Sequence, residues 1–370
     1  GTLAILMNKS GEPHEAYLPN DKNDNKIINR IIQCQLEHKH CKYILVSKDI
    51  NMRLKARACN IDAQDYHNDQ LVSDVKQRNK RYLEFEGSFW DRVEKVDTFT
   101  RGGVTYHSIA RNCFIEDVFC NQYVVDSLGF SSRILKVDNE HVVLKHLQTE
   151  TLMNQNAWGL KPRNIYQAIA LDALMDTDIH LVTLTGPAGS GKTILALAAA
   201  IEMTVEQKQF NKIIVTRSTP PLAEEHGFLP GNEEEKMDPW LGAISDNIEA
   251  LHLDDQNPSG SIDYVKTRAN IQFKALNYIR GRSFQRSLIM IDECQNLTPH
   301  QMKTIITRAG EGSKVVCLGN LAQIDTPYLS PVSSGLTYMS ERFKGFQHSA
   351  AVRLNGIPRS KLAEFAEANL

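Results

Sequence analysis

Runs of apolar residues at two different spacings divide the chain into segments of predicted strand and predicted helix. In the second half, His180–Thr185, Leu288–Ile291 and Lys314–Gly319 are short and nearly continuous apolar runs, which is typical of buried strands. The run Ile194–Met203 is longer and predicts a helix directly after the first of these strands. Buried strands joined by helices indicate an α/β fold with a parallel sheet.

The first third of the chain combines a helical spacing with one short strand. A helix is expected to begin near Asn23, where Asp24 is a good N-cap, and its apolar face repeats at helical spacing. That face consists of Ile27, Ile28, Ile31, Ile32 and Leu36. Tyr43–Ser47 predicts a short buried strand that ends at Asp49, and Ile50–Cys59 predicts the next helix.

The middle of the chain has a β-rich pattern. Leu71–Phe85 is charged and predicts a helix. Short strands separated by turn residues are then expected at Val104–His107, Asn112–Phe119, Gln122–Val125, Arg133–Val137 and His141–His146. This pattern predicts a small β-barrel or β-rich connector. Such barrels often bind single-stranded nucleic acid through aromatic and cationic side chains, although aromatic residues at this density more often belong to the hydrophobic core. The candidates are Phe85, Phe89, Trp90, Tyr106 and Phe114.

A phosphate-binding motif lies between the first buried strand and its helix. The segment Gly186–Thr193 reads GPAGSGKT and fits the pattern G-x-x-x-x-G-K-[ST]. Its glycines let backbone N–H groups surround phosphate oxygens, and the helix N-terminus adds a favourable dipole. The predicted nucleotide-binding residues are Gly186, Pro187, Ala188, Gly189, Ser190, Gly191, Lys192 and Thr193. Lys192 is expected to reach the β- and γ-phosphates of ATP, and the Thr193 hydroxyl to bind Mg²⁺.

Two acidic residues end the second buried strand. Ligands of open α/β sheets bind beyond the carboxyl ends of strands, which is where Asp292 and Glu293 are expected. Asp292 is predicted to hold Mg²⁺, and Glu293 to orient and deprotonate the attacking water. In the loop after the third strand, Gln323 is a candidate sensor of the γ-phosphate.

The order of these motifs resembles the PhoH family of P-loop ATPases, which is close in fold to superfamily 1 helicases. The matching segments are Pro162–Gln167, Ile214–Arg217, Gly227–Gly231, Glu233–Trp240, Tyr278–Ser283, Asp292–Asn296 and Gly319–Asp325. The resemblance implies that Gln167 reads the adenine base and that Arg359 reaches the nucleotide of a neighbouring subunit. It therefore implies a homo-oligomer, expected to be a hexameric ring, with RNA as the substrate that is unwound and single-stranded RNA as the bound partner.

The first third of the chain resembles the C-terminal half of a PIN-type ribonuclease domain fused to PhoH. The resemblance rests on Asn23–Ile27, Val46–Ala56 and Ala63–Tyr66. PIN sites gather several acids around Mg²⁺ or Mn²⁺, and Asp24 and Asp49 are the positions that match. Glu12 and Glu15, in an expected hairpin at 9–15, are poor substitutes for the remaining ligands. The ligand set is therefore expected to be incomplete. From this, the chain is expected to be either a fragment or a platform without nuclease activity.

Composition limits the binding partners and the cellular compartment that can be expected. The 370 residues carry a net charge of −2, so binding of nucleic acid would need a local basic stripe. Candidates for the stripe are Arg217, Arg280, Arg282, Arg286, Lys303 and Arg308. The seven cysteines form no C-x-x-C motif, and Cys34, Cys294 and Cys317 are expected to be core thiols of a cytoplasmic protein. No apolar run is long enough to span a bilayer, so no membrane partner is expected.

Three domains are predicted: a partial α/β PIN-like domain at 1–68, a small β-rich connector at 69–156 and a P-loop ATPase domain at 157–370. The favoured function is Mg²⁺-dependent ATP hydrolysis coupled to binding and unwinding of RNA, linked to the ribonuclease module. The alternative is an ATP-dependent assembly switch or regulator in which the PIN-like part does not cleave. A small-molecule kinase is a third hypothesis, which the acid beside the Mg²⁺ ligand disfavours because a kinase must exclude water.

Overall fold

A computed structural model describes residues 18–19, 22–47, 49–64, 81–218, 242, 246–251, 264–279, 281–326 and 329–355. The chain divides into two compact units, 1–70 and 71–370, and each is considered by itself. Cys34, Cys294 and Cys317 are buried, as expected of core thiols, and all seven cysteines are free. None of the helices in the described ranges combines the length and apolarity that a bilayer crossing requires.

The first unit is a small α/β arrangement around two short parallel strands. Its elements are α1 (Asn23–Glu37), β1 (Ile44–Val46), α2 (Ile50–Ala58) and β2 (Asp62–Gln64). The strands pair in parallel, with Leu45 opposite Ala63. The helices cover them through Ile28, Ile32, Met52 and Ala56, which are buried.

Two expectations about α1 are corrected. The predicted apolar face is only partly buried, since Ile27 is 47% exposed and Leu36 is 56% exposed. The N-cap position is Lys22, and Asp24 lies inside the first turn, where a carboxylate interacts favourably with the helix dipole. The acid that does cap a helix is Asp49, which accepts hydrogen bonds from the backbone N–H groups of Asn51 and Met52 at the start of α2.

The second unit begins with a six-stranded mixed sheet. Its strands are β3 (Tyr82–Phe85), β4 (Val96–Arg101), β5 (Val104–Ala110), β6 (Tyr123–Asp126), β7 (Ser131–Val137) and β8 (His141–Leu147). The spatial order is β3-β6-β7-β8-β5-β4, in which β3 and β6 are parallel and the other neighbours are antiparallel. Residues of this sheet and its connections form a hydrophobic cluster that includes Phe89 and Phe114.

Three predictions in this region are wrong. Tyr82–Phe85 is a strand, although it was expected to end a helix. The segment predicted as a strand at Asn112–Phe119 is a short 3₁₀ turn, Arg111–Cys113, followed by irregular chain. Strand β4 was not predicted, and the reason is physical: it is exposed along its whole length and so lacks alternating burial.

The rest of the second unit is built on a parallel sheet flanked by helices. In chain order its elements are α3 (Thr149–Met153), α4 (Ile165–Met175), β9 (Leu181–Thr185), α5 (Lys192–Ile201), β10 (Lys212–Arg217), β11 (Ile271–Phe273), α6 (Leu276–Ile279), β12 (Ser287–Asp292), α7 (Pro299–Ile306), β13 (Lys314–Gly319), α8 (Gly335–Arg342) and β14 (Ser349–Arg353). The spatial order is β11-β10-β12-β13-β9-β14, with every neighbouring pair parallel.

Both faces of the parallel sheet are buried, which explains the continuous apolar runs of its strands. In β12, Leu288 and Met290 pack into one hydrophobic cluster, whereas Ile289 and Ile291 pack into a second cluster on the other face. Because all six strands run the same way, the carboxyl ends of β9, β10, β12 and β13 meet at one edge. That edge carries the phosphate-binding loop and the acidic pair.

Helix α4 is held at its C-terminal end by a buried lysine. The Nζ of Lys314, on β13, donates hydrogen bonds to the carbonyl oxygens of Ala173, Leu174 and Asp176. These carbonyls belong to the last turn of α4 and the residue after it, where the carbonyl oxygens have no partner within the helix. Lys314 thereby fixes α4 against the sheet, and the N-terminal end of the same helix carries Gln167.

Candidate active site

The loop between β9 and α5 has the backbone conformation that a phosphate cradle requires. Gly186 has φ 150° and Gly191 has φ 89°, which are values that side chains other than glycine rarely tolerate. A Cβ at Gly186 would lie 2.5 Å from the carbonyl oxygen of Leu354, and one at Gly191 would lie 2.9 Å from Nε2 of Gln167. Both glycines therefore let the loop close tightly above the sheet.

Lys192 points its ammonium group into this loop. Its Nζ donates hydrogen bonds of 2.8 Å to the carbonyl oxygens of both Gly186 and Pro187, and it lies 3.4 Å from Oγ of Ser190. Thr193 follows in the first turn of α5 and is half-buried. The ammonium and the helix N-terminus provide positive charge at the point where phosphate oxygens would bind.

Gln167 holds the loop from the side of α4. Its Oε1 accepts from the backbone N–H of Arg163 at 2.9 Å, and its Nε2 donates to the carbonyl oxygen of Ser190 at 3.1 Å. A primary amide has two N–H donors and an oxygen with two lone pairs, so one donor and one acceptor site stay available for a base. Recognition of adenine by Gln167 remains a prediction.

Glu293 occupies a strained backbone position directly after β12. Its φ is 52°, in the left-handed region, and it turns the chain from the strand into a 3₁₀ helix at Cys294–Asn296. The Oε1 atom accepts a hydrogen bond from Nη2 of Arg217 at 3.2 Å, and Oε2 accepts from Nε2 of Gln295. The side chain of Glu293 remains 30% exposed, so solvent reaches the carboxylate that these donors orient.

The neighbouring Asp292 is held in an environment that favours a bound cation. Loss of hydration, together with the Glu293 carboxylate, raises the pKa of Asp292, whereas the charges of Arg217 and Lys192 oppose this rise. A divalent cation would also lower the pKa of Asp292 and would stabilise its ionised carboxylate. The donor set of the Thr193 hydroxyl and the Asp292 carboxylate also suits Mg²⁺, which prefers oxygen ligands. The residues therefore fit a Mg²⁺–nucleotide complex.

Gln295 connects Glu293 with the loop that follows β13. This side chain is fully buried. Its Nε2 also donates to the carbonyl oxygen of Gln323 at 2.8 Å, and its Oε1 accepts from the backbone N–H of Asn320 at 3.0 Å. The side chain of Gln323 itself is exposed. The contact between the acidic pair and this loop thus runs through the Gln323 backbone, and γ-phosphate sensing by its side chain remains a prediction.

Sequence reasoning did not identify Arg217 and Gln295 as partners of Glu293. Arg217 was considered only as part of a basic stripe and of a matching segment, and Gln295 only as part of a matching segment. The usable signal for Arg217 was its place as the last residue of a buried parallel strand, because it lies directly opposite Asp292 in the sheet. The usable signal for Gln295 was weaker, since a buried glutamine beside an acid must find hydrogen-bond partners.

Other predicted site residues lie outside the described part of the chain. These are Arg359 and the segments Gly227–Gly231 and Glu233–Trp240. In the first unit, Asp24 and Asp49 are described, but no group of three or more His, Cys, Asp or Glu side chains within the described ranges is arranged to hold a metal ion. Asp49 uses its carboxylate as a helix cap. A nuclease metal at these two acids remains a prediction.

Two family models match the chain, one after the other. The model described as "PhoH-like protein" matches residues 159–367, and the model described as "PIN domain" matches residues 2–67. The first match contains the whole of the site described above.

Relatives align over nearly the full length of the chain. "Protein PhoH2" of Bacillus subtilis is 37% identical over 373 residues, which cover 99% of this chain and 82% of the relative. "Protein PhoH2" of Mycolicibacterium smegmatis is 32% identical, with 98% and 78% covered. Among solved structures, a Pif1 helicase from Candida albicans matches with a TM-score of 0.29 and 16% identity, covering 56% of this chain and 43% of that chain. That structural likeness is too distant to carry a conclusion about this chain.

Proposed function

Because this chain belongs to the PhoH-like protein family, and its P-loop ATPase domain follows a PIN domain, we propose that it couples Mg²⁺-dependent ATP hydrolysis to RNA unwinding, with single-stranded RNA as the strand it binds. The unwound strand is delivered to the PIN-type ribonuclease module. The protein acts in the cytoplasm.

The observation that carries the hydrolysis proposal is the orientation of Glu293. Arg217 and Gln295 each donate to one of its two carboxylate oxygens. A carboxylate has about four lone-pair positions, so acceptor positions remain for the O–H group of a water. A carboxylate that is fixed yet 30% exposed at the strand end can take a proton from that water.

The remaining residues of the site bind and orient ATP. Lys192 exchanges its contacts with the loop carbonyls for the β- and γ-phosphate oxygens, and the N–H groups at the start of α5 bind the same phosphates. When bound between Thr193 and Asp292, Mg²⁺ supplies charge that stabilises the phosphate oxygens. Gln167 uses its free donor and acceptor on the adenine base. Gln323 senses the γ-phosphate.

Assembly into a homo-oligomer, of hexameric ring type, completes the proposed site. Arg359 of one subunit contacts the nucleotide of its neighbour and stabilises charge on the transferred phosphoryl group. Substitution of Arg359 by Ala should therefore leave nucleotide binding intact and remove turnover. Mixed assemblies of Arg359→Ala with Lys192→Ala should regain activity at the subunit boundaries where an intact loop meets an intact arginine. Turnover that survives in Arg359→Ala alone would contradict the role in trans.

The main test is phosphate release from ATP with and without single-stranded RNA, with Glu293→Gln as the blank. The proposal expects strong stimulation by RNA that disappears in the variant, because the amide cannot accept a proton from water. Lys192→Ala should abolish nucleotide binding or turnover, and an unchanged rate would contradict the assignment of the phosphate loop.

A second function is favoured by one observation on the first unit. Asp49, one of the two acids that match a PIN site, is engaged as a helix cap. If the PIN-like part does not cleave, the chain acts as an ATP-dependent assembly switch with that part as a binding platform. Hydrolysis that is independent of RNA would favour this second function. Cleavage of RNA that requires Mg²⁺ or Mn²⁺ and is lost in Asp24→Asn would favour the first.

A further inference from the structure

One row of side chains crosses all six strands of the mixed sheet. The strand registers place residues directly opposite one another from β4 to β3. The row consists of Phe99, Tyr106, Lys145, Arg133, Tyr123 and Tyr82. Directly opposed residues of neighbouring strands point to the same face, so this face presents aromatic rings on both sides of two cations.

Half of the row is covered by helix α4. The hydroxyl of Tyr123 donates to Oδ2 of Asp172 at 2.6 Å, and Arg133 forms ion pairs with Asp172 and Asp176 at 3.3 and 2.5 Å. These side chains are buried between the sheet and the helix. The covered half is therefore a structural interface within the second unit.

The other half of the row lies open beyond the helix. Phe99 is 47% exposed, and its ring stacks on that of Tyr106 with centroids 5.3 Å apart and planes 16° apart. Lys145 follows on the next strand, and Arg101 lies on the same face as Phe99, two residues further along β4. Neither cation forms an ion pair with a residue in the described part of the chain.

We propose that this open face, formed by Phe99, Tyr106, Lys145 and Arg101 and called the platform below, binds single-stranded RNA. The inference rests on the proposed function, because it names where that RNA binds. Exposed rings offer a stacking surface to any base. Lys145 lies on the strand next to Tyr106, and Arg101 lies two residues from Phe99 on the same strand. Both cations are therefore close enough to the rings to neutralise the backbone phosphates of RNA whose bases stack there.

Other roles for the rings of Phe99 and Tyr106, in the hydrophobic core or in a protein interface, fit the structure less well. The core of the sheet is on the opposite face, where Ile109 is buried and His107 contacts the ring of Trp90, so Phe99 and Tyr106 are not needed to fill it. A protein partner would be expected to meet a broader apolar surface, whereas Arg101, Ser108 and Lys145 beside the rings are charged or polar and Val104 is apolar. Asp97 also lies on this face, but at the end of β4 away from Arg101. The cationic end of the platform is therefore at the turn between β4 and β5.

Helix α4 gives the platform a physical connection to the nucleotide loop. The row that begins at Phe99 continues to Arg133, which is paired with the C-terminal half of α4. The N-terminal turn of that helix contains Gln167, which donates to Ser190 in the loop. RNA on the platform is therefore expected to alter ATP turnover as well as to bind.

The test compares binding of a fluorescent 20-nucleotide uridine strand by the full chain and its variants, measured by anisotropy. Phe99→Ala combined with Tyr106→Ala should weaken binding at least about tenfold, because base stacking on an aromatic ring contributes substantially. Phe99→Leu combined with Tyr106→Leu keeps apolar area without aromatic rings and should show most of the same loss. Lys145→Ala should lower the slope of log affinity against log salt by about 0.7. Ile115→Ala, on the same sheet module at 93% exposure, is the matched control and should bind as the unaltered chain does.

The outcomes separate this inference from the function it rests on. If the unaltered chain binds no RNA and shows no stimulation of ATP turnover, the proposed function is wrong and the platform with it. If the unaltered chain binds RNA and the double alanine variant binds equally well, only the platform is wrong. A 20-nucleotide thymidine strand that binds the platform while the uridine strand does not would overturn the commitment to RNA.

A crosslinking experiment gives a readout that does not depend on folding of a variant. RNA carrying 4-thiouridine, irradiated with the unaltered chain, should crosslink within the hairpin Val96–Ala110. Crosslinks confined to other segments would contradict the platform. The thermal unfolding midpoint of each variant should stay well above the assay temperature, since the replaced side chains are exposed or half-buried.

Discussion

Arg217 and Glu293 form an ion pair at the carboxyl edge of the parallel sheet, with 3.2 Å between Nη2 and Oε1. Arg217 ends β10 and Glu293 directly follows β12, and these two strands are neighbours in space but far apart in the chain. The pair orients the carboxylate proposed to activate water, and Arg217 also opposes the rise in the pKa of Asp292. Arg217 is therefore a positioning residue whose contribution should be seen in turnover more than in binding.

Replacement of Arg217 by Gln should lower kcat for ATP by about tenfold or more, with a smaller change in KM. The reason is that a misoriented base loses transition-state stabilisation while the phosphate loop stays intact. Steady-state phosphate release at several ATP concentrations measures both constants. Arg342→Gln, at an exposed arginine of the same unit, is the control. Equal losses in the two variants would show that the ion pair has no specific role.

Replacement of Gln295 by Ala should lower both stability and turnover. This fully buried amide bonds to Glu293, to the Gln323 carbonyl and to the Asn320 N–H group. Loss of one partner of a buried polar group costs about 1–3 kcal/mol. Urea unfolding and ATP turnover report the two effects, and Gln285→Ala, at an exposed glutamine, is the control. Full activity in Gln295→Ala would contradict a link between the acidic pair and the loop.

Replacement of Gln167 by Glu should weaken ATP binding more than replacement by Met. A glutamate can still accept from Arg163, but it cannot donate to the Ser190 carbonyl and would place a negative charge beside it. The charge also lies beside the loop that receives phosphates, so the affinity should fall at least tenfold. Binding of a fluorescent ATP analogue measures this. A Glu variant that binds as tightly as the unaltered chain would show that the contact between α4 and the loop is dispensable.

Lys314 should make stability depend on pH above neutrality. Burial lowers the pKa of Lys314 to about 7, while Asp176 acts in the opposite direction. The unfolded chain has the ordinary value of 10.5, so between about pH 7 and pH 10.5 the unfolded state binds a proton that the folded state has released. The free energy of unfolding therefore rises with pH in this window, by up to about 1.4 kcal/mol per pH unit.

The comparison that isolates this effect is Lys314→Met. The apparent free energy of unfolding of the unaltered chain, minus that of the variant, should increase between pH 7 and pH 9 in urea titrations. Subtraction removes the titration of all other groups that are unaffected by the substitution. A difference that stays constant across this range would show that Lys314 keeps its proton when folded.

The sequence was sufficient for features that depend on local pattern. The strands β12 and β13 were predicted because both faces of each are apolar, and the phosphate loop because its residues must be adjacent. The partners of Glu293 could not be predicted with the same certainty, because they depend on which strands are neighbours. The order β10-β12-β13-β9 is a tertiary property that no local pattern contains.

The errors in the mixed sheet have the same origin. Tyr82–Phe85 pairs with β6, so its conformation is set by a partner strand about forty residues away rather than by the charged residues that precede it. Strand β4 is exposed on both faces and exists because β5 pairs with it. The predicted α1 face included Ile27 and Leu36 because spacing alone cannot tell which part of an apolar stripe is covered.

At Glu293, the left-handed backbone conformation lowers the stability of the fold, whereas the side chain is needed for the proposed turnover. A non-glycine residue in that conformation costs the fold about 1 kcal/mol, and glycine would remove the cost. The same substitution would remove the proposed base, and it would leave the buried Gln295 amide without one of its acceptors. A chain that is selected for both properties must gain its stability at other positions and keep this strained turn.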